Sequence, residues 1–318
     1  MFINKNNWEL LNPFLHKKTG INSIMRDVII ALLPIVIYSI YCYGIKALIS
    51  IFLSVFFAVL TEYLWQKSFK KAVRIEDLSS VITAVILVLM LPPYFVWWGI
   101  IIGAIFSIVF GKQIFGGLGN NLINPAVTGW IFLQIIFPKQ AGEIFFKILN
   151  IFNAPQALSL KYLSHNILAG SLLTKMQNNS LIEASIITLL LGAIYLIVRN
   201  RIAISISISY LSILLIGYVV SVIISGKISI SNIFGPVSLF SIFFLASDPV
   251  TTPISLKGKI VFGIGCGILS LLAYAVTGVI YVFYISIILM NILVPFIDYS
   301  TIPKPLGIYA KNQKLWKS

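Results

Sequence analysis

Two stretches of this sequence carry residues able to hold a polar ligand inside otherwise apolar chain. The first is Lys112 to Ala126, Lys-Gln-Ile-Phe-Gly-Gly-Leu-Gly-Asn-Asn-Leu-Ile-Asn-Pro-Ala. Gly116, Gly117 and Gly119 permit close backbone approach and positive φ. Asn120, Asn121 and Asn124 add amide donors and acceptors, and Pro125 suits the first turn of a following helix. The second is Ser247-Asp248-Pro249-Val250-Thr251-Thr252-Pro253. Asp248 is able to cap a helix end or to hydrogen-bond a polar ligand, with Thr251 beside it. The chemistry offered is binding, through a few amide, hydroxyl and carboxylate contacts beside apolar walls. The simpler readings are a turn for the first stretch and a helix cap for the second. Polar, Gly-rich backbone at a bilayer edge is tolerated only where protein buries it or where it lines a cavity.

Chemistry by other groups is poorly supplied. His16 and His165 stand alone in polar segments. Cys42 and Cys266 lie in separate apolar segments and form no CxxC or metal set. The nine acidic residues avoid the middle of every expected span. A proton relay or cation site usually needs an ionisable group inside the membrane. The chain is therefore expected to be poorly equipped to carry ions on its own carboxylates.

The elements that must position these stretches are apolar helices. Of 318 residues, 59% are hydrophobic and only 10% are charged, with mean hydropathy +0.99. Soluble domains carry about 25% charged residues. The fold class expected is an all-α polytopic membrane protein, with about ten transmembrane helices in two inverted five-helix repeats. The spans are expected near 28–43, 47–65, 79–91, 94–110, 127–137, 181–198, 202–224, 233–246, 260–275 and 278–297. Pro34 is a candidate kink in the first, and Trp97 and Trp98 mark an interface level. The organisation that follows is a basic N-terminus at 1–26, a first half at 27–138, an outer, periplasmic loop at 139–180, a second half at 181–297 and a tail at 298–318. The first 26 residues lack a signal-peptide pattern, so the first span is expected to be retained.

The net charge of +14 fits basic cytoplasmic loops better than nucleic-acid binding. With ten spans and both termini inside, 17 Lys and Arg residues fall on the cytoplasmic side and 6 on the other. Lys112 is counted among the cytoplasmic ones. Each half has five spans, an odd number, so the halves start from opposite sides. The third span of each is short and ends at prolines, at Leu91-Pro92-Pro93 and at Asp248-Pro249 to Pro253. Interrupted segments at matching positions point to a site at the repeat interface.

These stretches together resemble the membrane flavoprotein family that contains the D-type subunit of Rnf complexes and the B-type subunit of the sodium-pumping NADH:quinone reductase. The resemblance runs through Ser23-Ile24-Met25, Leu91-Pro92-Pro93 with Trp97-Trp98, Gly111-Lys112-Gln113 and Phe115 to Asn120. It continues through Asn124-Pro125-Ala126, Ser247 to Thr251, Met290-Asn291 and Pro295 to Tyr299. The tail Thr301 to Gly307 looks more like the D-type subunit. The resemblance implies an inner-membrane complex that couples electron transfer to Na⁺ or H⁺ movement. Its partners would be the other membrane and peripheral subunits of an Rnf-type complex and the lipid bilayer, with no nucleic acid. It also implies FMN or riboflavin. In the family an FMN phosphate is esterified to a threonine of the outer loop. The matching stretch here is Pro155-Gln156-Ala157-Leu158-Ser159-Leu160, with Leu158 in the threonine's place and Ser159 a weak substitute. No covalent FMN is expected at Leu158, which has no hydroxyl. A family acidic-Gly pair reads Tyr281-Val282 here, and a family arginine is missing around Leu272 to Tyr274.

Three functions compete. The first is a redox subunit holding a non-covalent flavin at Gly116, Gly117, Asn120, Asn124, Asp248 and Thr251. The second is a scaffold that has lost its cofactor. The third is a solute channel or transporter, since inverted five-helix repeats build those too. No catalytic or metal-ligating residue is expected. The chain contains no iron–sulfur or nucleotide-binding motif, so nicotinamide oxidation is assigned to partner subunits.

Overall fold

The computed structural model describes residues 20–137, 180–225 and 233–301. Among these residues the protein is all-helical. The helices are numbered in chain order: α1 Ile21–Tyr43, α2 Ile45–Ser68, α3 Ser79–Leu89, α4 Trp97–Ile108, α5 Pro125–Ile136, α6 Ile186–Val198, α7 Ile204–Ser225, α8 Pro236–Phe240, α9 Leu256–Thr277 and α10 Val282–Thr301. Two of them run on as π-turns, α4 through Val109–Gln113 and α8 through Ser241–Leu245.

Helices α1, α2, α7, α9 and α10 are long and apolar enough to cross a membrane, with 20 to 24 residues each. The remaining five are shorter apolar helices. Helix α3 has 11 residues. At about 1.5 Å per residue that is roughly half of a hydrocarbon core about 30 Å thick. Boundaries differ from expectation by a few residues, and two of the shifts involve acidic residues. Helix α1 starts at Ile21, which brings Asp27 inside it. The charge is tolerated there because Arg199 and Arg201 neutralise it. Helix α10 continues past Ile297 to Thr301, and the Asp298 Oδ1 accepts from the Ile254 N–H at 3.0 Å. The connection at 139–180 lies outside the described residues except for Ser180.

The inward faces of α2 and α9 carry mostly small and polar residues. Along α2 the buried positions are Ala47, Ser50, Ser54, Ala58, Glu62 and Gln66, a stripe spaced by three and then four residues. Phe52, Phe56, Leu60 and Leu64 stay exposed on the other side. This is the inverse of a soluble helix. Against lipid, apolar bulk gains nothing from moving inward, while small residues let helices approach and hydroxyls find partners. Ser54 Oγ donates to the Ala84 carbonyl of α3 at 3.1 Å. In the second group of helices, Tyr210, Ser270 and Ser286 form a buried hydroxyl chain joining α7, α9 and α10 at 2.5 and 2.6 Å.

Helix α2 packs on α3 and α4, and α4 on α5; likewise α7 packs on α9, and α9 on α10. Between the groups, α1 lies against α6 and α5 against α10. Trp130 of α5 meets Tyr284 of α10 edge-on, with ring centres 4.9 Å apart. The one-turn helix Leu181–Ala184 is strapped to both α1 and the break after α3. Its Leu181 N–H donates to Leu91 O at 3.0 Å, and Ser39 Oγ donates to Leu181 O at 3.0 Å.

The α1–α6 contact depends on Gly192, because a Cβ there would overlap the Ala31 carbonyl oxygen. Backbone cannot move aside as a side-chain tip would. Gly192→Ala should therefore destabilise the detergent-solubilised protein by about 1–3 kcal/mol, the usual cost of overpacking. A thermal melt unchanged from wild type would refute this contact.

Candidate functional site

The two interrupted stretches come together at Asn291 of α10, which is fully buried. In the amide orientation that satisfies both its ends, its nitrogen donates to Thr251 O at 3.1 Å and its oxygen accepts from the Asn124 N–H at 3.2 Å. One side chain thus ties the start of α5 to the loop between α8 and α9. Asn124 is the N-cap of α5, with its Oδ1 accepting from Ala126 N–H at 3.1 Å and Pro125 in the first turn. Gly111 allows the close approach of α4, since a Cβ there would sit 2.6 Å from Pro125 Cα.

Asp248 shapes the second loop. Its Oδ1 accepts from the Val250 N–H at 3.2 Å, and Thr251 Oγ1 donates to its Oδ2 at 3.4 Å. Burial pushes its carboxyl up to about 6, partly offset by the Val250 and Thr251 hydrogen bonds. Ser247 is held to α7 by Ser207, with the hydroxyls 3.1 Å apart.

Between the groups lies a cavity of about 80 Å³. Asn121, Asn124, Asp248, Ser79, Lys112 and Arg201 contribute its polar lining, and Phe243 and Phe244 of the α8 π-turn are among its apolar walls. Asn121 is buried and its Oδ1 has no hydrogen-bond partner among the described residues. A second cavity of about 480 Å³ opens beside the exposed loop Lys71 to Arg74. Gly116 and Gly117 line it, with φ of 112° and 97°. The six expected binding residues therefore fall into separate places. Asn124, Asp248 and Thr251 gather around Asn291, Gly116 and Gly117 belong to the second cavity, and Asn120 is exposed at the loop tip.

Residues 10–307 match the family model described as NQR2, RnfD, RnfE. The chain belongs to that family. It is 31% identical over 303 residues to the D-type subunit of the Na⁺-translocating ferredoxin:NAD⁺ oxidoreductase complex of Acetobacterium woodii, covering 93% of this chain and 94% of that one. It is 30% identical over 306 residues to the D-type subunit of the ion-translocating oxidoreductase complex of Methanosarcina acetivorans, covering 94% and 97%. The corresponding subunit of the ion-translocating oxidoreductase complex of Buchnera aphidicola subsp. Baizongia pistaciae is 32% identical over 349 residues, covering 95% and 98%.

For this member of the NQR2, RnfD, RnfE family, the stretch 155–160 with Leu158 and Ser159 lies outside the described residues. Tyr281 donates to Glu183 Oε1 at 2.8 Å, with Ser180 Oγ at 3.3 Å from the same oxygen.

Sequence reasoning missed the buried charges. Asp27, expected just before the first span, is buried within α1, where it pairs with Arg201 at 2.5 Å and Arg199 at 3.3 Å and accepts from Tyr195 at 3.0 Å. Lys112, counted as a loop cation, is 1% exposed and pairs with Glu62, also 1% exposed, at 2.6 Å. The available signal was the α2 stripe of small and polar residues, which puts Glu62 on the inward face.

Two measurements test this geometry. Asn291→Leu leaves the Asn124 N–H and the Thr251 carbonyl without their partner, and should cost about 1–3 kcal/mol of stability in detergent. Asp248 binds its proton more tightly folded than unfolded, since its carboxyl is raised from 3.8 to about 6. Stability should then fall as pH rises through that interval and level off above it. Asp248→Asn, which still accepts from Val250 N–H, should flatten this part of a melting-temperature profile.

Proposed function

We propose that the chain is the D-type membrane subunit of an ion-translocating oxidoreductase complex, in which electron transfer drives ion movement across the membrane. The observation that carries this is similarity over more than nine-tenths of the chain to the D-type subunits of such complexes. Its partners are the other membrane and peripheral subunits. Nicotinamide chemistry falls to them, because this sequence has no nucleotide-binding or iron–sulfur motif.

All ten apolar helices are assigned to spans of the inner membrane, as two inverted five-helix halves with both termini cytoplasmic and 139–180 outside. The matching packing order of α1–α5 and α6–α10 supports this, as do the first helices of each half meeting as α1 and α6. The excess of basic residues on the assigned cytoplasmic side supports the orientation.

Family resemblance implies FMN or riboflavin. The interface cavity has suitable walls, apolar with a few polar groups, and the free Asn121 Oδ1 suits a ring N–H. Its volume does not suit: about 80 Å³, against about 300–1,000 Å³ for ordinary ligand sites. The Asn124 and Asp248 side-chain oxygens already accept backbone N–H groups. In this arrangement these residues do not fit a flavin, and no electron step is assigned to one. At the interface, that volume favours a second reading, a scaffold that organises the complex without a cofactor there, while the cavity of about 480 Å³ beside Gly116 and Gly117 lies within the ordinary range.

Affinity purification of the chain from its native membrane should bring down the other subunits; isolation as a lone protein would refute the complex. Wild type expressed with a flavin transferase should be dark under ultraviolet light in a denaturing gel, and Leu158→Thr fluorescent. Flavin extracted from the purified wild type in a one-to-one ratio would overturn the scaffold reading and restore the electron-carrying one.

A further inference from the structure

The two cavities adjoin at Leu118, which lines both, and at a polar wall. Lys112 and Ser79 line the interface cavity, while Glu62, Asp77 and Gln113 line the larger one. These five residues form one network. Lys112 Nζ bonds Glu62 Oε1 and donates to Ser79 Oγ, and Ser79 Oγ donates to Asp77 Oδ1 at 2.5 Å. Gln113 Nε2 and Gln66 Nε2 donate to the same Glu62 oxygen at 2.8 and 3.3 Å.

Glu62 is satisfied on one side only. Its Oε1 takes three donors, and its Oε2, although buried, has no hydrogen-bond partner among the described residues. An ionised carboxylate oxygen left unpaired in a buried place carries a large desolvation penalty. Glu62 is also among the residues that line the larger cavity. The other charges around that cavity, Lys71, Arg74, Glu76 and Asp77, are of both signs, so its lining does not repel a cation. Lys112 and Gln113 sit on the π-turn that extends α4. Such turns insert a residue into a helix and recur at functional sites.

We propose that Glu62 is a receiving site for a small monovalent cation, Na⁺, entering from the larger cavity, and that the Lys112 ammonium is the charge it replaces. A cation arriving at Oε2 neutralises the carboxylate. Lys112 then loses its counter-charge, and it stands on the wall of the interface cavity, beside Ser79. The buried pair is thus the closed position of a barrier between the two spaces. This goes beyond the subunit assignment and does not depend on any flavin.

The test is labelling of the full-length wild-type chain, in its complex or in detergent, with a hydrophobic carbodiimide that attacks protonated carboxyls, the adducts being mapped by peptide mass spectrometry. Glu62 should be labelled in choline chloride, and NaCl at equal ionic strength should protect it. Lys112→Gln removes the competing ammonium, so Na⁺ protection should appear at lower concentration. No adduct on Glu62 in choline chloride, or an adduct insensitive to Na⁺, would overturn the proposal and leave a purely structural ion pair.

Discussion

Helix ends that stop among apolar residues leave N–H and carbonyl groups that lipid cannot satisfy. Much of this structure follows from where those groups find partners. Asn291 supplies a donor and an acceptor to two chain breaks at once, one before α5 and one after α8. Asn124 and Asp248 complete the breaks from within, by accepting local N–H groups. Leu181 does the same at another interruption, where its backbone bonds Leu91 and Ser39. The short helices are therefore stable because each other's ends are close. The contact between the two groups of helices and the integrity of their broken segments are one property.

Much of this was legible in the sequence. Among the described residues, the approximate positions of the five membrane-length and five shorter apolar helices follow from runs of apolar residues and their Gly, Pro and charged boundaries. The glycines of the loop permit positive φ, and Gly116, Gly117 and Gly119 adopt it. Pro125 opens α5 behind an asparagine cap, as its place in the helix predicts. The partners were not legible. Asn291 sat in a recognisable motif, yet nothing local tells that its amide reaches both Asn124 and Thr251. Glu62 and Lys112 are far apart in the chain. Lys112 looked like a loop residue because the apolar run ends just before it, whereas the π-turn carries the helix through to Gln113. Local pattern reports which face is buried, and only the tertiary arrangement reports what meets it.

The expected binding residues illustrate the same limit. Type and spacing made Gly116, Asn120 and Asp248 look like parts of one pocket. The fold instead uses Asn124, Asp248 and Thr251 to close the junction, and puts Gly116 and Gly117 at the mouth of another space. Polar residues in an apolar chain mark places where something must be satisfied. Backbone left by a broken helix is as demanding as a ligand, and here it absorbs most of the polar atoms that looked available.

The larger cavity has a consequence for the electric field. A polar recess of about 480 Å³ reaches inward to Glu62. Water and mobile ions in such a recess hold it near the potential of the side on which it opens. A voltage across the membrane then drops mainly over the thinner, low-dielectric layer that remains, where low-dielectric walls concentrate the field. Moving one elementary charge through the full drop is worth about 2.3 kcal/mol per 100 mV. If Glu62 receives a cation as proposed, the recess shortens the insulator, and a charge crossing the wall at Lys112 would do most of its electrical work over a few side chains.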